Sequence, residues 1–306
     1  MEELELSVII PHYNDPAALA ACLRTLEAQS ADKSRFEVIV CDNNSDYPVE
    51  GLDAFDLDVR LVVETRRGAG PARNAGVEIA RGKFLAFTDC DCLLEPDFVE
   101  NGLRHMQREG EWSVMAGEII IYPAGERPNA VEAFEITYSM DQKGYTKKGD
   151  AATGNMWTSR ALFKKVGPFY ADVAEDTDWC QRAYQAGATF HFGGDCIARH
   201  PARSTLDELR QKWKRQSAMT FNTWQKKRGF AVKWPLLCAA TAFSAVPHSM
   251  RALLDRRLPL FADKINAIKI LFWCRFYRAK IMVGFYFSGL NHIDPNKYWT
   301  NSENAQ

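Results

Sequence analysis

The 306-residue chain has no Cys-x-x-Cys pair and no histidine cluster beside its 8 cysteines, which argues against a zinc ribbon or a dithiol redox centre. Several cysteines, among them Cys41, Cys90 and Cys196, sit in or beside strand-like runs. Reduced thiols in a cytosolic protein are therefore expected. No basic and apolar leader opens the chain; residues 1–5 are acidic and lead straight into a strand, so a signal peptide is not expected. Internal repeats and low-complexity tracts are absent, and 46% hydrophobic with 25% charged residues is ordinary globular composition. Long uncharged runs are scarce as well. Residues 234–247 make 14 without a charge, short of the roughly 20 that cross a bilayer. Residues 268–290 are apolar and aromatic but carry Lys269, Arg275, Arg278 and Lys280. Neither stretch predicts a transmembrane helix.

Net charge is nearly absent too, at −1, but the total hides an asymmetry. Residues 203–280 hold 17 Lys and Arg against 4 Asp and Glu, a net of +13 that leaves −14 for the rest. The acidic part suits metal-assisted nucleotide binding. The basic part, rich in Trp and Phe, suits phosphates or anionic lipid headgroups. No nucleic-acid partner is expected.

Along the chain, residues 6–10, 37–41 and 59–63 read as strands, each ending in polar residues, and residues 16–29 as a helix capped by Asp15. Residues 70–80 read as a helix opening after Gly68, Ala69, Gly70 and Pro71, followed by the strand of residues 83–88. This alternation predicts a mostly parallel sheet, with ligands bound outside the carboxyl ends of its strands. A helix over 96–108, a strand over 114–122, a mobile loop over 141–153 and a strand from Gly154 follow. A short helix over 160–166 comes next, then a helix opening on Glu175, Asp176 and Asp178. Residues 188–192 and 196–198 are the last strand-like pieces. An amphipathic helix begins at Leu206.

Asp89 and Asp91 stand at the end of a buried-looking strand, two apart, so both side chains can point one way toward one hard cation. Asp42, after the second strand, can accept a hydrogen bond from a pyrimidine imide. Arg73, in the first turn of its helix, offers a guanidinium to phosphate oxygens.

Four motifs come in a fixed order: Pro11, His12, Tyr13 and Asn14; Asp42, Asn43, Asn44 and Ser45; Gly70 through Gly76; and Asp89, Cys90 and Asp91. Over residues 6 to about 200 this set resembles the family 2 inverting glycosyltransferases. The resemblance implies a single Rossmann-like α/β domain of the glycosyltransferase A type, with a mixed, mostly parallel central sheet over residues 1–200. Residues 201–306 would be a basic, aromatic helical appendage, at the membrane interface or packed on the domain.

By the same resemblance, Pro11, Tyr13, Asn14, Asp42, Arg73, Asn74 and Asp89 would bind the donor, with Asp42 reading its base, usually uracil. Asp91, with Asp89 and His200, would hold a divalent cation, Mn2+ or Mg2+, that bridges the diphosphate. Glu175 and Asp176 match the acidic pair of the acceptor site, Asp176 as base. Gly154, Asn155 and Trp157 would shape the acceptor pocket. The Gln-x-x-Arg-Trp motif of processive synthases is missing at residues 211–215, so single transfer is expected. The implied partners are a nucleotide-sugar donor, a saccharide or lipid-linked acceptor, and an anionic cytoplasmic membrane face. A non-catalytic scaffold of this fold is the rival reading. A sugar-phosphate nucleotidyltransferase is disfavoured, because residues 6–30 lack its Gly-rich opening and Lys signature.

Overall fold

A computed structural model describes residues 4–171 and 173–295. The elements are β1 (Leu6–His12), α1 (Pro16–Glu27), β2 (Phe36–Asp42), β3 (Val59–Val63), α2 (Ala69–Ile79), β4 (Phe84–Thr88), β5 (Leu93–Leu94) and α3 (Phe98–Glu109). Then come β6 (Ser113–Tyr122), α4 (Ala130–Tyr138), α5 (Gln142–Thr146), β7 (Asn155–Ser159), α6 (Arg160–Val166), α7 (Glu175–Gln185) and β8 (Thr189–Pro201). Four helices close the chain: α8 (Leu206–Trp224), α9 (Phe230–Phe243), α10 (Ala245–Leu254) and α11 (Phe261–Phe287). Two compact units form. The first takes the chain to residue 120 with 140–171 and 175–200, and the second takes 121–139 and the chain from 201.

The sheet order is β3-β2-β1-β4-β7-β6-β8-β5. The mixed α/β sheet is present as expected. Parallel pairing joins β3, β2, β1 and β4, whereas β4 with β7, β7 with β6, and β5 with β8 pair antiparallel. β2, β4 and β7 are buried along their whole length, as strands covered on both faces should be. α1 starts where Asp15 accepts a hydrogen bond from the Ala18 N–H, with proline in its first turn. α2 lies directly on the sheet at Gly76, where a Cβ would sit 2.4 Å from Cys41 Sγ and 2.9 Å from Ile9.

Two expectations change. The pieces at 188–192 and 196–198 are one 13-residue strand, β8. Gly193, within β8, serves packing, since a Cβ there would come within 2.6 Å of the Met115 sulfur. The stretch 141–153, expected as a mobile loop, contains the short helix α5. Buried Gln142 donates to the carbonyls of Ala152 (3.0 Å) and Asn155 (3.1 Å) and accepts from the Ala152 N–H (2.9 Å).

In the second unit, α4, α8, α10 and α11 share a core of Val131, Phe134, Leu209, Ala245, Leu271 and Cys274. Phe221, Trp234, Cys238 and Met282 form another. α8 opens with a capping box between Thr205 and Glu208. The uncharged run of 14 residues lies within a 25-residue helical stretch, residues 230–254. By length and composition alone that stretch can cross a membrane, and only 17% of its apolar window is buried.

Glu135 is one of the buried charged groups of this unit. It receives Lys212 Nζ and Arg203 Nη1, each at 2.8 Å. Burial alone would raise its carboxyl, but Lys212 and then Arg203 outweigh it and hold the group at about 2. Its contribution to stability is therefore complete above the ordinary value of 4.5 and lost as pH falls toward about 2. Glu135→Gln leaves two cations without their shared partner. It should cost about 3 kcal/mol at neutral pH, read as a drop in thermal midpoint that shrinks on acidification below the carboxylate range.

Candidate active site

The site is built at the carboxyl ends of β1, β2 and β4. His12 and Asp42 are register partners in the β1–β2 ladder. His12 Nδ1 meets Asp42 Oδ1 at 3.1 Å, and the other Asp42 oxygen accepts the Ser45 N–H at 3.1 Å. Asn14 holds a left-handed backbone (φ 53°) and exchanges two hydrogen bonds with Asp46, at 2.8 Å each. Tyr13 and Pro11 are half-buried beside it. Asn43 ties down the segment that leads to α2, bonding the carbonyls of Glu64 and Arg66 and the Gly68 N–H. The chemistry-bearing strand ends are thus fastened by residues the motifs contain but whose fastening role they do not reveal.

Arg73 is the centre of the arrangement. It is only 3% exposed, and it donates from Nη2 to Asp89 Oδ1 at 2.6 Å and from Nη1 to Glu175 Oε1 at 3.2 Å. The expected free arm toward a diphosphate is instead an internal bridge between two carboxylates. Asn74, expected at the donor, clamps a loop. Its Nδ2 donates to the Phe169 carbonyl and its Oδ1 accepts the Phe169 N–H, both at 2.9 Å.

The three carboxylates that open α7 divide by partner. Glu175 pairs with Arg73, and Asp178 pairs with Arg182 one turn on, at 2.9 Å. Asp176 has no ion pair among the described residues and accepts only the Thr177 N–H at 2.8 Å. Burial first, then the charges of Glu175 and Asp150, push its carboxyl up to about 7, against the Thr177 N–H and Arg73. Asp150, which the sequence reading passed over as part of a polar loop, accepts the Thr177 hydroxyl at 3.1 Å.

Asp89, Asp91 and Cys92 offer ligand atoms within 4.8 Å of one another. Cys92 is fully buried, and burial, then Asp91 and Asp89, push its thiol well up. A protonated thiol is a poor ligand for a hard cation, so the donor set that fits Mn2+ or Mg2+ is the aspartate pair. His200 stands beside it, with Nε2 3.6 Å from Asp91 Oδ2. The β5–β8 register, which pairs Leu93 with Arg199, brings it there.

Of the residues assigned to the acceptor, only Gly154 borders the carboxylates: a Cβ on it would lie 3.3 Å from Asp89 Oδ2. Trp157 is 0% exposed, packs on Phe98 with ring centroids 5.2 Å apart, and donates from Nε1 to Asn155 Oδ1. Buried Asn155 donates to the carbonyls of Glu118 and Cys196. These two are core residues: the Asn155 amide satisfies buried backbone carbonyls, and the Trp157 indole N–H is satisfied by Asn155 itself.

The family model for glycosyl transferase family 2 matches residues 7–167. Glycosyltransferase AglE of Haloferax volcanii is 31% identical over 217 residues, covering 68% of this chain and 71% of that protein. The putative glycosyltransferase EpsH of Bacillus subtilis is 33% identical over 107 residues, 34% of this chain and 31% of its own. Among solved structures, the mannosyltransferase PcManGT of Pyrobaculum calidifontis, in complex with GDP-Man and Mn2+, superposes with TM-score 0.60 at 16% identity. It covers 94% of this chain and 88% of its own. S. aureus TarS 1–349, in complex with UDP-GlcNAc, gives TM-score 0.53 at 16% identity over 92% and 91%. At that identity the two structures speak for the fold, which is the α/β glycosyltransferase arrangement expected.

The bridge can be tested without turnover. Arg73→Met should cost about 3 kcal/mol at pH 8 by leaving Asp89 and Glu175 uncompensated. Protonation relieves that repulsion, so the deficit in urea unfolding should shrink as pH is lowered to 5. An equal deficit at both values would show that Arg73 contributes packing alone.

Proposed function

Because the chain belongs to glycosyl transferase family 2, and so is a glycosyltransferase that uses a nucleotide-sugar donor, we propose that it moves one sugar, with inversion, from a uridine diphosphate sugar to a hydroxyl acceptor. The acceptor we favour is a saccharide or a lipid-linked saccharide. The observation that carries this reading is the division of charge around Arg73. Asp89 and Asp91 form a hard-cation site on one side, and Asp176, with no cation of its own, stands on the other.

In this mechanism Asp42 reads the base through the oxygen not shared with His12, and Asn14 and Tyr13 border the same end of the sheet. Asp91 and Asp89 would hold the divalent cation, with His200 beside them; when bound, that ion would neutralise charge developing on the leaving diphosphate. Asp176 takes the proton of the acceptor hydroxyl as its oxygen attacks the anomeric carbon. The bond from that carbon to the phosphate oxygen breaks, and its electron pair leaves with the nucleoside diphosphate. Glu175 and Arg73 position the base and Asp89. A carboxyl shifted to about 7 is a stronger base than an ordinary aspartate and is still largely ionised just above neutrality.

We extend the reading to place. The +13 region and the exposed Val232, Leu236, Phe243, Val246, Met250 and Leu254 along α9 and α10 favour peripheral attachment to the anionic cytoplasmic face of a membrane.

Calorimetric titration of UDP, GDP and TDP, with and without Mn2+, tests the donor site. UDP should bind best, the metal should be required, and Asp91→Ala should weaken binding by at least about tenfold. Metal-independent binding would remove the role of Asp91. With an acceptor in hand, kcat/KM should fall about tenfold per pH unit below about 7, as Asp176 becomes protonated. Glu175→Gln removes the like charge beside it and should move that limb to lower pH. A limb that stays put would exclude Asp176 as the titrating base.

A further inference from the structure

The second unit holds a pair of cations that its described residues do not neutralise. Arg275 and Arg278 stand three apart on α11, on one face of the helix. Neither guanidinium has an ion pair or a hydrogen bond to a protein acceptor among the described residues, and the Nε of each is buried without a partner. Arg278 lies over the Trp213 ring of α8, 5.1 Å from its centroid.

The carboxylates around them are committed to other cations: Glu135 on α4 is enclosed by Lys212 and Arg203, and Asp255 pairs with Arg257. Burial pushes the neighbouring Cys274 thiol up to about 12 and raises the Tyr138 phenol as well, so both stay neutral. After Glu208, α8 contributes Arg210, Lys212, Lys214 and Arg215 with no carboxylate, and after Asp263, α11 contributes Lys264, Lys269, Arg275, Arg278 and Lys280 with none. Burial, and then Arg275, pull Arg278 down to about 10. Half-buried cations of like sign, without a counterion, are destabilising unless a ligand provides the charge.

We propose that Arg275 and Arg278, beside the Trp213 ring, form a phosphate-binding site between α8 and α11. A guanidinium pair offers forked N–H donors to phosphate oxygens, and a partly desolvated setting strengthens each charge-assisted bond. The phosphate belongs either to a lipid headgroup or to a soluble phosphate or diphosphate ester. This site lies outside the glycosyl-transfer machinery, and its readouts are binding and thermal stability, so either reading can fail alone.

The test uses the full chain, the double variant Arg275→Met/Arg278→Met, and Lys280→Met, which removes an exposed charge from the same helix. Thermal midpoints are measured with inorganic phosphate and with pyrophosphate against sodium chloride of matched ionic strength. Flotation is measured with phosphatidylglycerol-containing and pure phosphatidylcholine vesicles. The double variant should fold with an unchanged or higher midpoint and lose about tenfold or more of the phosphate response, while Lys280→Met changes it by less than about twofold. Loss confined to phosphatidylglycerol vesicles identifies a lipid headgroup. Loss confined to pyrophosphate or phosphate identifies a soluble ester. A native protein that answers to no probe, or equal losses in the double variant and Lys280→Met, would overturn the site.

Discussion

A buried guanidinium has to be paired, and at Arg73 that requirement organises the first unit. Its two partners, Asp89 and Glu175, lie 16 and 102 residues away in the chain. Leaving either carboxylate out would strand a desolvated cation, so α2, the turn after β4 and the first turn of α7 come together as a set. The position of α2 follows from its contact with the sheet at Gly76. The bridge also decides what its neighbours do. Glu175 pairs with Arg73 and Asp178 with Arg182, which leaves Asp176 without a cation of its own, beside the charges of Glu175 and Asp150, poorly solvated and with a raised proton affinity.

Much of this was legible in the amino-acid order. Strands with long apolar runs declare themselves, and β1, β2 and β4 each end where polar motif residues begin. Asp89, Asp91 and Asp176 could be named because a carboxylate at a strand end or helix start is conspicuous. What the order did not disclose is where each polar side chain points. Asn74 and Asn155 bond buried backbone, and Trp157 fills the core beneath α3. Residue type is the same whether an amide meets a ligand or a carbonyl; only the packing distinguishes them. The continuity of β8 through Gly193 is of the same kind, since a glycine can mark a turn or a close sulfur contact. His200 reaches Asp91 through the β5–β8 register, a pairing between a two-residue strand and a distant one that no local pattern announces.

Two charged groups inside the second unit show when a buried cation is structural. Lys212 and Arg203 enclose Glu135, so positive charge and carboxylate are matched and the triad fastens α4 to α8. Arg275 and Arg278 are set among aromatic rings and neutral groups, on helices that carry only cations beyond their first turns. Stability alone would favour methionine or leucine at such positions, because an uncompensated half-buried charge gains nothing from the fold around it. A pair of them, three residues apart, is therefore better explained by something that arrives with negative charge than by the architecture that surrounds them.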